Sequence, residues 1–183
     1  MSYIVVGLGN PGEEYKGTRH NVGRDFVEAS SDKIEAALGK NFGKKIKSVV
    51  SKFFMNESGK AIKPLVKSIK AAEKLIVVHD DLDLPLGTLK ISFNRGSGGH
   101  RGVESVAKAV KTKAFVRIRV GVASSTPSGK IKKPKGEDAV IKFILGKFSP
   151  SEQKEISKVY KKTAEAVQLI VEDGREAAMS KFN

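Results

Sequence analysis

The sequence predicts an α/β protein, a single domain in which a twisted, mostly parallel sheet with mixed pairing is flanked by helices. Short apolar runs alternate with longer amphipathic stretches, the order expected when helices connect the strands of one sheet. A length of 183 residues suffices for one hydrophobic core and is short for two. The sequence contains no visible internal repeat. We therefore treat residues 1–183 as one domain.

The strands are predicted from short apolar runs. They cover residues 3–8, 44–50, 75–78, 88–93 and 116–122. The runs at 88–93 and 116–122 alternate between apolar and polar side chains, which is typical of strands. The run at 75–78 is uniformly apolar and indicates a buried strand. Parallel pairing with helical crossovers is the expected arrangement.

The helices are predicted from the stretches between these runs. They cover residues 21–38, 57–69, 102–110, 138–145 and 150–173. Gly39 ends the first helix, and the second is broken or begins near Pro64. Residues 149–152 form a capping box before the last helix, which Gly174 ends. Residues 123–136 are rich in Pro, Gly, Ser and Lys, so we expect a mobile basic loop there, a candidate lid.

The charge balance predicts a polyanionic partner. The chain has 34 Lys and Arg against 20 Asp and Glu, a formal net charge of +14 and a pI near 9.9. Nucleic acid is the usual partner, because each neutralised phosphate releases counterions and adds affinity. The alternative is a lysine-rich surface that reflects the proteome of the source. Charge alone does not choose between them.

Cysteine usage and hydropathy predict a cytoplasmic protein. The sequence contains no cysteine, which excludes disulfides and thiolate metal sites. No apolar run approaches the roughly 20 residues that span a bilayer. The first predicted strand follows Met1 directly, without the basic leader of a signal peptide. We therefore expect no membrane association.

A glycine motif, Gly7-Leu-Gly-Asn-Pro-Gly12, follows the first predicted strand. It matches the letters of the dinucleotide-binding fingerprint, which would indicate NAD or FAD. That fingerprint requires a helix to begin inside the motif, whereas Pro11 and residues 13–17 indicate continued loop. The glycines also allow a tight turn that leaves the Asn10 amide free to contact a ligand.

Two polar segments precede predicted helices. His20 lies in residues 18–21, where Asn21 can be the N-cap of the first helix. A histidine near solvent titrates near neutral pH, so His20 is either a general base or a surface residue without a role. Asn56, in residues 54–59, is either a ligand-binding amide or a plain N-cap.

Residues 79–87 place three aspartates and a histidine after the buried strand at 75–78, where open α/β sheets bind ligands. Oxygen ligands of this kind suit Mg²⁺. Alternatively, one aspartate accepts a hydrogen bond from Nδ1 of His20 and fixes its tautomer. The glycine-rich residues 96–102 either bring His100 to a substrate or form an ordinary connection.

Together these segments resemble the bacterial-type peptidyl-tRNA hydrolase family. Five motifs carry the resemblance, and they occur in the family's order along the whole chain. They are Val5-Val6-Gly7-Leu8-Gly9-Asn10-Pro11-Gly12 with Tyr15, Thr18-Arg19-His20-Asn21-Val22-Gly23, Phe54-Met55-Asn56-Glu57-Ser58-Gly59, His79-Asp80-Asp81-Leu82-Asp83-Leu84-Pro85 and Gly98-Gly99-His100. The resemblance implies a monomeric enzyme, without metal or cofactor, that hydrolyses the ester between a peptide or N-blocked amino acid and tRNA. Such an enzyme recycles tRNA from stalled or abortive translation.

The resemblance also implies the catalytic roles. His20 would activate the attacking water, and Asp80 would orient His20. Asn10 and Asn56 would hold the peptide and the water, and His100 would form a further wall of the peptide groove. The reaction needs only a positioned base, a water and hydrogen-bond donors, because the substrate is an activated ester.

The implied tRNA contacts include two departures from the family pattern. Tyr15 would stack beside the tRNA 3′ end. Lys90 and Arg119 are the nearest candidates for the family's clamp on the tRNA 5′-phosphate at the acceptor stem, but Ser92 stands where family members can carry a clamp lysine. Arg101 replaces the family's frequent Asn after the second histidine, and we expect it to bind a tRNA phosphate. The segment before residue 54 is also shorter than in the family.

Two other functions compete with this interpretation. A non-catalytic RNA-binding protein would keep the fold, but it would have no reason to retain His20, Asn10, Asn56 and Asp80 together. A nicotinamide-dependent oxidoreductase rests only on the glycines of residues 7–12.

Overall fold

The computed structural model describes residues 2–37, 45–126 and 128–183, and the backbone alone over 31–37. This part of the chain contains a six-stranded sheet. The strands are β1 (Tyr3–Gly7), β2 (Ile46–Val50), β3 (Leu75–Pro85), β4 (Leu89–Phe93), β5 (Val116–Ser125) and β6 (Ile131–Lys132). Their order is β2-β1-β3-β5-β4, with β6 paired to β5. The first four strands in this order are parallel to one another, while β4 and β6 are antiparallel to β5. The predicted α/β class and mixed, mostly parallel sheet are therefore confirmed.

The helices of the described residues flank this sheet. They are α1 (Val22–Ala37), α2 (Gly59–Ile62), α3 (Ile69–Ala72), α4 (Arg101–Val110), α5 (Glu137–Ile144), α6 (Pro150–Glu172) and α7 (Arg175–Phe182). Short 3₁₀ turns at Glu13–Tyr15, Arg19–Asn21 and Met55–Glu57 lie in the connections. Among these helices, none is long and apolar enough to cross a bilayer.

The helices near residues 57–69 and after residue 174 differ from the prediction. The predicted helix over 57–69 is interrupted, as expected near Pro64, which has no amide hydrogen to donate. It is shorter than predicted, because α2 ends at Ile62 and α3 begins at Ile69. Ser68 then caps α3 by accepting a hydrogen bond from the backbone of Ala71. The sequence analysis missed α7, which begins after Gly174, a residue with φ of 93°. Its packing buries Ala178 completely.

The capping box before α6 is confirmed. The Ser149 side chain accepts from the backbone of Glu152, and the Glu152 side chain accepts from the backbone of Ser149. The predicted ends near residues 38, 39 and 44 lie outside the described residues.

The segment at 123–136 contains strand residues. β5 continues to Ser125, and Ser124 and Ser125 pair with β6. Lys133 forms an ion pair with Asp83 of β3. Residues 123–125 and 131–132 are therefore strand where a basic loop was expected, and the mobility of the segment stays a prediction.

The core consists of two apolar clusters that share β3. Ile76 and Val78 belong to the cluster that includes residues of α1, α6 and α7, whereas Leu75 and Val77 belong to the cluster under α2, α3 and α4. All four side chains are 0% exposed. The predicted buried strand is therefore confirmed, with successive side chains on opposite faces.

Two glycines allow α1 to approach the sheet closely. A Cβ on Gly7 would lie 2.0 Å from the carbonyl oxygen of Gly23, and a Cβ on Gly23 would lie 2.1 Å from the carbonyl oxygen of Val78. Both contacts are too short for any side chain. The first glycine of the Gly7–Gly12 motif is thus explained by helix packing, without a dinucleotide. The chain after Pro11 continues as loop and a 3₁₀ turn, as expected.

Candidate active site

The aspartates predicted to follow β3 lie inside it, because the strand continues to Pro85. Asp80 contacts two histidines, Asp81 pairs with Arg119, and Asp83 pairs with Lys133. The position predicted from the sequence was therefore wrong. Asp80 lies among the histidines, whereas Asp81 and Asp83 line a separate cavity and are paired with Arg119 and Lys133, so the three carboxylates do not share one site. The shared Mg²⁺ site considered for residues 79–87 has no support from this arrangement.

His20, Asp80 and His100 come together at the centre of the site. Nδ1 of His20 lies 3.0 Å from each carboxylate oxygen of Asp80. Nε2 of His100 lies 2.9 Å from Oδ1 of the same carboxylate. The side chain of Asp80 is 4% exposed, and those of His20 and His100 are 13% and 9% exposed. His20 is thus less exposed than its loop position predicted.

The surrounding hydrogen bonds assign the protons of the two imidazoles. Nδ1 of His100 accepts from the backbone of Val103 at 3.3 Å, so Nε2 carries the proton and donates to Asp80. His20 donates from Nδ1 to the same carboxylate, which leaves the lone pair on Nε2. His20 can therefore accept a proton at Nε2. His100 has both ring nitrogens engaged and serves to position Asp80.

His79 contacts both the backbone of Asp80 and the ring of His100. It is 1% exposed, and its Nδ1 donates to the backbone oxygen of Asp80 at 2.7 Å. Its ring meets that of His100 edge to face, with centroids 4.7 Å apart. Burial and the neighbouring His100 hold the pKa of His79 well below its usual value. His79 is therefore neutral and contributes packing to the site.

The charge of Asp80 controls the titration of His20. Burial by itself would lower the pKa of His20, but the Asp80 carboxylate and its hydrogen bond raise it above the ordinary 6.5. The positive charge of Arg101 acts in the opposite direction. Burial would raise the pKa of Asp80, but the two histidines hold it well below its usual range. Asp80 is thus ionised throughout the neutral range and stabilises a proton on His20.

Asn10 is positioned by Asn21 and by the turn that carries Asn56. The side chain of Asn21 accepts from the backbone nitrogen of Asn10 at 2.8 Å and donates to its carbonyl at 2.9 Å. Oδ1 of Asn10 accepts from the backbone of Met55 at 2.8 Å, so its Nδ2 is the group left for a ligand. Asn10 is only 9% exposed. The amide is therefore less free than predicted, and Asn21 braces it instead of capping α1 with its side chain.

Asn56 and Tyr15 lie on the exposed side of this turn. Asn56 occupies the 3₁₀ turn Met55–Glu57, and its side chain is exposed. Tyr15 is half-buried and meets Phe54 edge to face, with ring centroids 6.3 Å apart. Phe54 is 51% exposed. The chain therefore presents two aromatic rings beside the segment that carries Asn10 and Asn56.

Arg19, which the sequence analysis gave no role, anchors the loop that carries His20. Its guanidinium donates to the carbonyl of Lys147 at 2.8 Å and to Glu152 at 2.6 Å. It also lies over the rings of Phe143 and Phe148. These contacts join the His20 loop to the α5–α6 connection. The residues next to Arg19 in the sequence contain no pattern that would predict contacts with Lys147 or Glu152, which are distant along the chain.

Arg101 begins α4 directly after His100. It forms an ion pair with Glu137, the first residue of α5. Both side chains are about two-thirds exposed, at 66% and 69%. This ion pair connects the starts of two helices beside the histidines, and its exposure leaves the guanidinium accessible to other anions.

Lys90 and Arg119 are directly opposite each other on β4 and β5. Nε of Arg119 donates to Asp81 at 2.7 Å. Both residues line a cavity of about 410 Å³, and two further cations, Arg95 and Arg117, line the same cavity. The structure thus brings the two predicted residues together and adds two that the sequence analysis missed.

One group of side chains in the described residues is close enough to share a metal ion. The ligand atoms of His20, Asp80 and His100 lie within 4.8 Å of one another. Each imidazole nitrogen that faces the carboxylate already hydrogen-bonds to it. A metal here would replace the protons that this network holds.

A buried carboxylate, an oriented imidazole with a free lone pair and an amide donor held by Asn21 and Met55 form an arrangement that can activate water. The comparisons identify the family. Residues 4–183 match the model of the peptidyl-tRNA hydrolase family. A peptidyl-tRNA hydrolase of Aquifex aeolicus is 40% identical, with 98% of this chain and 95% of the relative aligned. One of Caldanaerobacter subterraneus is 38% identical over 99% of both chains. The chain belongs to the peptidyl-tRNA hydrolase family.

The comparison of structures agrees with this assignment. The crystal structure of peptidyl-tRNA hydrolase from Acinetobacter baumannii is similar, with a TM-score of 0.83 and 28% sequence identity. The similarity covers 100% of this chain and 94% of that one. The fold is thus shared along the whole domain.

Proposed function

We propose that this chain hydrolyses the ester bond between a peptide, or an N-blocked amino acid, and tRNA by attack of a water that His20 activates. The observation that carries the mechanism is the hydrogen bond between Nδ1 of His20 and Asp80, which leaves Nε2 as the proton acceptor. Membership of the peptidyl-tRNA hydrolase family supports the substrate.

The proton and the electron pairs balance without a further reactant. Nε2 of His20 takes a proton from water while the water oxygen bonds to the ester carbonyl carbon. The tetrahedral intermediate then expels the ribose oxygen of tRNA, which takes the proton from the imidazolium. The products are a free peptide carboxylic acid and tRNA. Asp80 stabilises the imidazolium between the two steps, as a buried carboxylate does in other histidine-based hydrolases.

Amide donors would stabilise the negative charge on the carbonyl oxygen. Nδ2 of Asn10 is suited to this role, because its Oδ1 is held by the backbone of Met55 and the amide orientation is therefore set. Asn56 lies in the same turn and would hold the peptide backbone or the water. His100 would form the wall of the groove through its ring, since both of its nitrogens are engaged.

Contacts to tRNA would surround this centre. The ring of Tyr15, next to Phe54, would stack on a base at the 3′ end. Lys90, Arg119 and Arg101 would contact phosphates, and the net charge of +14 supports such binding. The proposal includes a cytoplasmic monomer that acts without metal or cofactor. Size-exclusion chromatography coupled to light scattering tests the monomer.

The decisive experiment is hydrolysis of an N-blocked aminoacyl-tRNA by the purified chain in the presence of EDTA. We expect turnover that EDTA does not reduce and that His20→Ala removes. Lys154→Ala, which changes an exposed residue of α6, is the matched control and should keep wild-type activity. Tight tRNA binding without hydrolysis would instead support the non-catalytic RNA-binding alternative.

A further inference from the structure

The backbone directly before His20 lies against the connection between α5 and α6. The backbone nitrogen of Arg19 donates to the carbonyl of Gly146 at 3.1 Å. The next residue of the connection, Lys147, forms an isolated antiparallel bridge with Thr18. The chain that leads into His20 is therefore held by a segment that is distant in the sequence.

The side chain of Arg19 adds to this contact. Its Nη1 donates to the carbonyls of Lys147 and Gly146, at 2.8 Å and 3.2 Å, and its Nη2 donates to Oε1 of Glu152 at 2.6 Å. The side chain is 9% exposed, and its Nε is buried without a hydrogen-bond partner among the described residues. A buried ion pair contributes little net stability, because the desolvation of both charges opposes their attraction. The rigid fork of the guanidinium instead fixes the geometry of three acceptors around the residue next to His20.

The carboxylate of Glu152 joins this contact to the start of α6. Its Oε2 accepts from the backbone of Ser149 at 2.8 Å, as part of the capping box, while its Oε1 accepts from Arg19. Burial would raise the pKa of Glu152, but the hydrogen bond from the Ser149 backbone and the charge of Arg19 hold it below its usual value. Glu152 is thus ionised at neutral pH, and the capping box fixes its carboxylate relative to the helix.

The ring of His20 is held separately from its backbone. Within the described residues, its one side-chain hydrogen-bond partner is Asp80, at 3.0 Å. Such a bond weakens when its distance or angle changes, so a shift of the His20 backbone would weaken it. Among the described residues, the charges that act on the pKa of His20 are those of Asp80 and Arg101. Glu152 can therefore affect His20 through the position of Arg19, rather than through its own charge.

We propose that Glu152 and Arg19 are positioning residues for His20. The start of α6 holds the backbone of the base through this ion pair, while Asp80 holds its ring. Together they keep Nδ1 of His20 within hydrogen-bonding distance of Asp80 and leave Nε2 directed toward the attacking water. This role rests on the proposed function, in which His20 is the base.

Two variants remove the ion pair from opposite ends. Glu152→Ala also removes one half of the capping box, whereas Arg19→Met leaves the box intact and keeps an apolar side chain against the neighbouring aromatic rings. Ser149→Ala is the matched control, because it removes the other half of the box and leaves Glu152 able to bind Arg19. Glu155→Ala controls for the loss of an exposed negative charge from α6.

The first measurement is the titration of the His20 ring by nitrogen NMR, which needs no substrate. The chain has three histidines, so the spectrum of His20→Ala assigns the signal. The pKa of His20 lies above 6.5 in the wild type. It should fall toward 6.5 in Glu152→Ala and in Arg19→Met, because the hydrogen bond to Asp80 weakens. It should not move in either control.

The second measurement is steady-state hydrolysis of an N-blocked aminoacyl-tRNA. In both test variants kcat should fall at least roughly tenfold with little change in KM, since a misplacement of about 1 Å can reduce a rate by about 10²-fold. Both controls should keep the wild-type kcat, although Ser149→Ala should lower the thermal unfolding midpoint through its lost cap.

Two outcomes overturn the positioning role. One is a pKa of His20 that is unchanged in both test variants, and the other is a kcat in both that is as high as in Ser149→Ala. If Glu152→Ala does not fold, Arg19→Met decides alone. A wild type that does not hydrolyse the ester, but whose His20 titration shifts as expected in the variants, would refute the proposed function and support the positioning of His20.

Discussion

Replacing Asp80 with asparagine should change both the rate of hydrolysis and its dependence on pH. His20 must be neutral to accept a proton, so activity is lost as pH falls through its pKa. Asp80 raises that pKa above 6.5 in spite of burial, so the wild-type acid limb should lie above pH 6.5. Asp80→Asn removes the charge while His20 stays buried, and the limb should therefore move to lower pH.

The size of the effect follows from the hydrogen bond of 3.0 Å between His20 and Asp80. A hydrogen bond to a charged group contributes about 1.5–3 kcal/mol. The loss of this contribution favours the neutral imidazole, so the limb moves to lower pH. The maximal rate should also fall by about 10²–10⁴-fold, because the amide does not hold the required tautomer or stabilise the imidazolium.

The assay is kcat/KM for an N-blocked aminoacyl-tRNA between pH 5 and 9 at constant ionic strength. Arg101→Asn is the matched control, because Arg101 lowers the pKa of His20 and its removal should move the limb to higher pH. An acid limb that stays in place in Asp80→Asn, or moves to higher pH, would refute the assignment of His20 as a base controlled by Asp80.

Four further changes test the remaining assignments. His20→Ala should lower kcat by about 10²–10⁴-fold with little change in tRNA affinity, and retention of more than roughly a tenth of the rate would exclude it as the base. The double variant of Lys90 and Arg119 should flatten the salt dependence of tRNA binding, measured by fluorescence anisotropy, and an unchanged slope would place the phosphates elsewhere. Arg101→Asn should raise KM with kcat within a few-fold, and a collapse of kcat would assign it to catalysis. Gly23→Ala should destabilise the fold by more than about 3 kcal/mol in urea unfolding, since its Cβ would lie 2.1 Å from a carbonyl oxygen, and a wild-type midpoint would contradict that packing.

Local pattern accounts for the elements that were predicted well. The strand at 75–78 could be predicted because a short, uniformly apolar run is visible in the sequence without any knowledge of the strands that pair with it. All four residues are buried in the structure. The capping box at Ser149 is equally local, since its two hydrogen bonds join residues three apart. The end of β3 was misplaced because residues 79–81 are polar, and their pairing with β5, resumed at Pro85, is what extends the strand.

The residues of the site also divide into those that the sequence predicted and those whose contacts depend on tertiary packing. The family resemblance paired His20 with Asp80 although 60 residues separate them, and the structure shows the expected hydrogen bond. The second bond to Asp80, from His100, was not expected. Asn21 had the sequence context of a helix cap, and its actual bonds to Asn10 depend on how α1 packs against β1.

The sequence by itself determined the fold class, the family and the identity of the chemical groups, because periodicity, caps and motifs are properties of neighbouring residues. Only the tertiary structure decided which groups share a partner. Asp80 accepts from two histidines, Arg19 reaches Glu152 across 133 residues of sequence, and Arg117 lines one cavity together with Lys90 and Arg119. Each of these contacts is set by strand register and helix packing, which place side chains that are distant along the chain within hydrogen-bonding distance.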